Sequence, residues 1–128
     1  MKPNSILIVD DDKDIRDLMV DYLEEQGFST YQAGNAGTAI KYFESKKPDL
    51  ILLDIEMPGR SGLEVCRILK AKSSTSEIPV IIVSGSTSRG DILSAYLAGA
   101  WMFLSKPFAL GELGECVSNA LYQRAASA

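Results

Sequence analysis

Five polar residues stand where short apolar runs of this chain stop. Asp10 and Asp11 follow ILIV at 6–9, Asp54 closes LILLD at 50–54, Ser84 follows VIIV at 80–83, and Lys106 comes just after WMFL at 101–104. Carboxylates brought together at neutral pH repel, so they must share a proton, pair with a cation or hold a metal. Oxygen donors with one lysine beside them suit Mg²⁺, or Mn²⁺ in its place. Both accept octahedral oxygen coordination, and Mg²⁺ keeps several waters and uses one or two carboxylates plus a phosphate. Asp10, Asp11 and Asp54 are therefore candidate ligands, and a metal between Asp11 and Asp54 would neutralise charge on an incoming phosphoryl group. A carboxylate can also attack phosphorus to form an acyl phosphate, which makes Asp54 a candidate nucleophile. Lys106 offers a compact positive charge and Ser84 a short hydroxyl donor, while Gly85, without a side chain, leaves room for a phosphoryl group.

These residues meet only if the runs are strands whose carboxyl ends lie side by side. LILLDIEMPGRSG at 50–62 is the pivot. Its apolar run is too short for a helix and reads as a buried parallel strand, after which Met57, Pro58 and Gly59 force a loop. Around it the chain alternates two periods, with strands expected at 6–9, 29–33, 50–54, 80–83 and 101–104. Ile15, Leu18, Met19, Tyr22 and Leu23 mark one apolar helix face that stops at Gly27, and Asn35 caps a helix carrying Ala36, Ala39, Ile40 and Phe43. Further helices are expected over 63–69, around Ile92, Ala95 and Tyr96 as far as Gly99, and along Leu110, Leu113, Val117, Ala120 and Leu121; the Ala/Ser tail at 124–128 should then fray. Successive βα units imply an α/β doubly wound fold, because right-handed crossovers place helices on both faces of a parallel sheet. The flavodoxin-like (βα)5 three-layer sandwich of strand order 2-1-3-4-5 makes strands one and three neighbours. It gathers Asp10, Asp11 and Asp54 in one crevice, with Ser84 and Lys106 along its other side.

One domain accounts for all 128 residues, with a core over about 5–123. A net charge of -4, a pI near 4.8 and no basic run give no footprint for nucleic acid or an anionic membrane. No segment could span a bilayer or form a signal-peptide core. Cys66 and Cys116 lack paired spacing and read as small apolar residues of a reduced, cytoplasmic protein. Cations and protein surfaces are the partners this composition favours.

With these motifs in this order, the chain resembles the receiver domains of two-component response regulators. The resemblance runs from ILIVDDD through LLDIEMPGRSG and VIIVSG to SKPF. Any one motif is weak evidence, and the ordered set is specific. The resemblance implies that Asp54 accepts a phosphoryl group from a sensor histidine kinase or a histidine phosphotransfer protein. It implies that Asp11 ligates Mg²⁺ directly, Asp10 through water and Glu56 through its backbone carbonyl. Ser84 would be the hydroxyl that swings toward the phosphoryl group, Lys106 would precede a cis peptide to Pro107, and Phe103 would be the switch aromatic. The surface of helix four, strand five and helix five would change on phosphorylation and meet an output protein, an adjacent domain or a second copy of the chain.

Some positions depart from the commonest family pattern. Ser84 stands in place of threonine, keeping the hydroxyl and losing the methyl that orients it, and Gly85 stands in place of alanine. Phe103 lacks the hydroxyl of tyrosine. Gly111 and Gly114 fall in the fifth helix, each costing about 1 kcal/mol relative to alanine in a helix interior, which marks that helix as locally weak. Taken singly, a strand-end aspartate is a turn former or cap, as Asp12 is expected to be, and a lysine is a solvated charge. Phe103 reads equally well as core filler. Three carboxylates at adjacent strand ends are costly without a cation, and that cost favours the functional reading. Two rival functions use the same residue types. A phosphohydrolase of the haloacid dehalogenase type wants Asp-x-Asp where this chain has Asp54, Ile55 and Glu56, and it places its acidic pair late rather than first. A pseudo-receiver, a binding module on the same fold, would have no reason to keep buried like charges. No output segment follows the fifth helix in this sequence, which leaves a stand-alone receiver or a piece of a longer regulator or hybrid kinase.

Overall fold

Strands covered on both faces need no alternation of apolar and polar residues, and ILIV, LILL and VIIV have none. In the computed structural model, which describes residues 3–86 and 88–127, these runs become β1 (Ser5–Val9), β3 (Leu50–Asp54) and β4 (Val80–Ser84). They are flanked by β2 (Ser29–Ala33) and β5 (Met102–Ser105). The helices are α1 (Lys13–Glu25), α2 (Ala36–Ser45), α3 (Gly62–Ala71), α4 (Arg89–Leu97) and α5 (Leu110–Ser127). All paired strands run parallel in the order β2-β1-β3-β4-β5, the doubly wound flavodoxin-like arrangement that the alternation implied. Register sets Val9 beside Leu53 and Asp54 beside Val83, which levels the carboxyl ends of β1, β3 and β4.

Successive strand residues point to opposite faces, so each apolar run feeds two cores. Leu7, Val9, Ile51, Leu53, Val80 and Ile82 pack with Phe43 of α2, Leu69 of α3 and Ala95 of α4. Ile6, Ile8, Leu50, Leu52, Ile81 and Val83 pack with Met19 and Leu23 of α1 and with Leu113 and Val117 of α5. Each such side chain gains roughly 1.5–3 kcal/mol on burial. Here a one-residue slip would exchange the two cores rather than expose either.

Helix ends follow the local signals. Asp12 caps α1 by accepting from the amides of Asp14 and Ile15, and Asn35, Ser61 and Ser88 cap α2, α3 and α4 in the same way. Gly27 and Gly99 follow α1 and α4 at φ of +95 and +103, left-handed stops that glycine adopts without strain. Cys66 is buried, its Sγ 3.3 Å from the Ala98 carbonyl oxygen, and burial pushes its thiol up to about 11.

Three details differ from the sequence expectations. Leu18 is 53% exposed, because a helix lying on a sheet buries a narrower stripe than the whole apolar arc of α1. The tail continues α5 as far as Ser127, as its alanines favour, and Ala128 lies outside the described residues. Gly114 has a packing role, since a methyl there would lie 2.5 Å from the Tyr22 hydroxyl oxygen on α1. No helix among the described residues is long and apolar enough to cross a membrane.

Candidate functional site

Each candidate residue arrives at the carboxyl end of a strand. Asp10 and Asp11 follow β1, Asp54 ends β3, Ser84 ends β4 and Lys106 follows β5. Carboxylate oxygens of Asp10, Asp11 and Asp54 all lie within 4.8 Å of one another. The Lys106 ammonium faces them, its Nζ 2.7 Å from Asp10 Oδ2 and 3.7 Å from Asp54 Oδ2. Asp10 and Asp54 are buried, whereas Asp11 is open to solvent, so the cluster has a wet side through which an ion could enter. The Glu56 amide donates to Asp54 Oδ1 at 3.2 Å. Ser84 is fully buried; its hydroxyl donates to Glu56 Oε1 at 3.2 Å and accepts from the Ser86 amide at 3.1 Å. The Lys106–Pro107 peptide is cis, and Phe103 lies half-buried on β5 against the core shared by α2, α3 and α4. Two clefts, of about 390 Å³ beside Trp101 and about 350 Å³ beside Asp49, lie at the opposite, amino-terminal ends of the strands.

Residues 6–118 match the family model of the response regulator receiver domain. The chain belongs to the response regulator receiver family. Its solved likenesses include a CheY-like receiver domain protein from Methanospirillum hungatei JF-1, with a TM-score of 0.93 and 29% identity over 99% of this chain and 100% of that one. The signal receiver domain of a signal transduction histidine kinase from Syntrophus aciditrophicus gives a TM-score of 0.88 and 31% identity over 94% of this chain and 91% of that one. The DNA-binding response regulator MtrA of Mycolicibacterium smegmatis is 34% identical over 108 residues, covering 84% of this chain and 46% of that protein. The receiver thus spans about half the length of the curated relatives it matches.

Charge in the receiver's crevice is unevenly balanced. Burial, reinforced by the neighbouring Asp10 carboxylate, pushes Asp54 up from the ordinary 3.8 to about 6, against the opposing pull of Lys106 and the Glu56 amide. Burial alone would lower Lys106, but its hydrogen bond to Asp10 and the charges of Asp54, Asp10 and Asp11 outweigh it and hold the ammonium above its usual range. One lysine therefore contacts two of the three carboxylates, and its shorter contact is with Asp10 rather than Asp54.

Three features of the receiver were not legible in the motifs. A methyl on Gly62 would lie 2.0 Å from the Asp54 carbonyl oxygen, so the first residue of α3 packs directly on the backbone that carries the central carboxylate. The SG pair ending the pivot stretch hinted at a helix start but not at this approach. Arg16 of α1 donates from Nη1 to the Asp10 carbonyl at 2.6 Å and from Nε to Gln32 Oε1 at 3.1 Å, fixing the end of β1 through its backbone. The Glu56 side chain meets Ser84, whereas the family resemblance implied a role only for the Glu56 backbone carbonyl.

Proposed function

We propose that this receiver takes a phosphoryl group from a phosphohistidine onto Asp54, with Mg²⁺ or Mn²⁺ held by Asp10, Asp11 and Asp54, and signals through its α4, β5 and α5 surface. The observation that carries the reading is the convergence of three carboxylates within 4.8 Å, faced by one lysine. The residues fit a hard divalent cation: the donors are all oxygens, one of them solvent-facing, and without a cation the buried pair repels. When bound, such an ion offsets the charge on the phosphoryl oxygens. An Asp54 carboxylate oxygen forms its bond to phosphorus as the phosphorus–nitrogen bond breaks, and that electron pair returns to the imidazole of the donor. Lys106, between Asp10 and Asp54, pairs with a phosphoryl oxygen once the carboxylate has been consumed. The Glu56 backbone carbonyl would complete the ligand set.

The phosphoryl donor is a sensor histidine kinase or a histidine phosphotransfer protein, and the output is an adjacent domain, a separate protein or a second copy of the chain. Leu93 and Leu97 of α4 are 59% and 77% exposed, apolar area suited to a protein partner. In this reading Ser84 and Phe103 relay the change at Asp54 to that surface. The DNA binding in MtrA's name belongs to that protein, and the acidic receiver described here is assigned to protein contacts.

Incubation with a small acyl phosphate and Mg²⁺ tests the reading. A receiver gains one labile phosphoryl group per chain. Catalytic consumption of the donor without uptake would point to a phosphohydrolase, and neither uptake nor turnover to a pseudo-receiver. Because Asp54 must lose its proton to bind the ion, and does so near pH 6, Mg²⁺ affinity should fall about tenfold per pH unit below that value and level off above it. Titration calorimetry on either side of that pH checks this. Lys106→Ala should still take up some phosphoryl group while α4 and β5 no longer respond, which hydrogen exchange with and without the acyl phosphate would read.

A further inference from the structure

We propose that the Glu56 side chain is a positioning residue that parks the Ser84 hydroxyl away from Asp54 until a phosphoryl group arrives, and so sets how readily this receiver switches. The proposal rests on Asp54 being the phosphoacceptor. A serine hydroxyl has one proton to give. Here it goes to Glu56 Oε1 at 3.2 Å, while the oxygen accepts from the Ser86 amide at 3.1 Å. Both bonds aim the hydroxyl toward the β3–α3 and β4–α4 loops. Threonine would have a methyl to limit its rotamers, but serine has none, so in this chain the acceptor chooses where the hydroxyl points.

Glu56 is well placed for that choice. Its amide donates to Asp54 Oδ1 at 3.2 Å, so one residue touches both the acceptor carboxylate and the hydroxyl. The backbone beneath it is fixed, with the Met57 and Gly62 amides both donating to the Ile55 carbonyl, at 3.1 and 3.0 Å. A phosphoryl group on Asp54 would bring anionic oxygens that compete with Glu56 for the same proton, and it would also repel the Glu56 carboxylate. Competition requires Ser84, whereas repulsion does not, and that difference makes the two separable.

The test is the affinity for beryllofluoride, a tetrahedral phosphoryl mimic, in saturating Mg²⁺. It is measured for the unchanged chain, Glu56→Ala and Glu56→Gln, each with and without Ser84→Ala. Removing a competing hydrogen-bond acceptor should tighten binding about 3- to 10-fold more when Ser84 is present than when it is replaced. Glu56→Gln, which keeps an acceptor oxygen, should gain less than Glu56→Ala. In the unliganded protein, Glu56→Ala should also shift the amide resonances of Ser84 and Phe103 toward their beryllofluoride-bound positions. Equal tightening in both backgrounds would leave only charge repulsion and overturn the proposal, as would no tightening at all. Failure of the unchanged chain to bind the mimic would instead remove the phosphoacceptor reading, and the proposal with it.

Discussion

Asp54→Asn is expected to raise the stability of the metal-free protein by about 2–3 kcal/mol near neutral pH while abolishing phosphoryl uptake. Asp54 is 4% exposed and its proton is held up to about 6, so ionising it inside the fold is unfavourable. The folded carboxyl keeps its proton more tightly than the unfolded chain does. Stability from this group is therefore greatest below pH 3.8, falls as the pH rises from there to about 6, and stays low above that. Asparagine has no proton to lose, and its oxygen can still accept from the Glu56 amide. The gain should appear as a rise of about 5–10 °C in Tm above neutral pH, shrink as the pH approaches 4, and vanish when saturating Mg²⁺ stabilises only the unchanged chain. Thermal scans over that range, with and without the ion, measure it. An asparagine variant less stable than the unchanged chain in metal-free neutral buffer would contradict the charge balance described for the crevice.

Gly62→Ala should do the opposite, costing roughly 3 kcal/mol of stability and weakening Mg²⁺ binding at least ~10-fold. The added methyl would meet the Asp54 carbonyl oxygen at 2.0 Å, the Asp54 carbonyl carbon at 2.8 Å and the Ile55 Cα at 3.0 Å. All three are backbone atoms, so no side-chain rotation relieves the contact. Either the start of α3 or the end of β3 must move, and the latter carries the carboxylate away from Asp10 and Asp11. Urea unfolding and calorimetric Mg²⁺ titration should show both losses together. Loss of stability with unchanged affinity would mean that α3 alone yields.

Much of the fold was legible because its three central strands are buried on both faces and helices α1, α2 and α3 are one-sided, two patterns that a linear sequence displays openly, whereas β2, β5 and α4 carry them only weakly. ILIV, LILL and VIIV could hardly be anything but central strands, and their order fixed which carboxyl ends would meet. The acidic residues and Lys106 were legible for the same reason, as polar residues closing apolar runs. Contacts across loops were harder to see. Nothing in SG at 61 and 62 reports that the glycine lies on the Asp54 backbone, and nothing in Glu56 reports that the carboxylate of this exposed residue reaches back to Ser84. Leu18 misled because periodicity shows that a face is apolar, not how much of it the sheet covers. The details that side-chain reach and loop closure decide are three-dimensional, and they lie around the same crevice.

The most direct test of the phosphoacceptor reading is to locate the phosphoryl group. The protein is treated with an acyl phosphate and Mg²⁺, the acyl phosphate on the protein is reduced with borohydride to homoserine, and the altered residue is identified by peptide mass spectrometry. Homoserine at position 54 alone, formed only when the divalent ion is present, is the predicted result. Modification at another carboxylate, or equal labelling of Asp54 after the ion has been chelated, would contradict it.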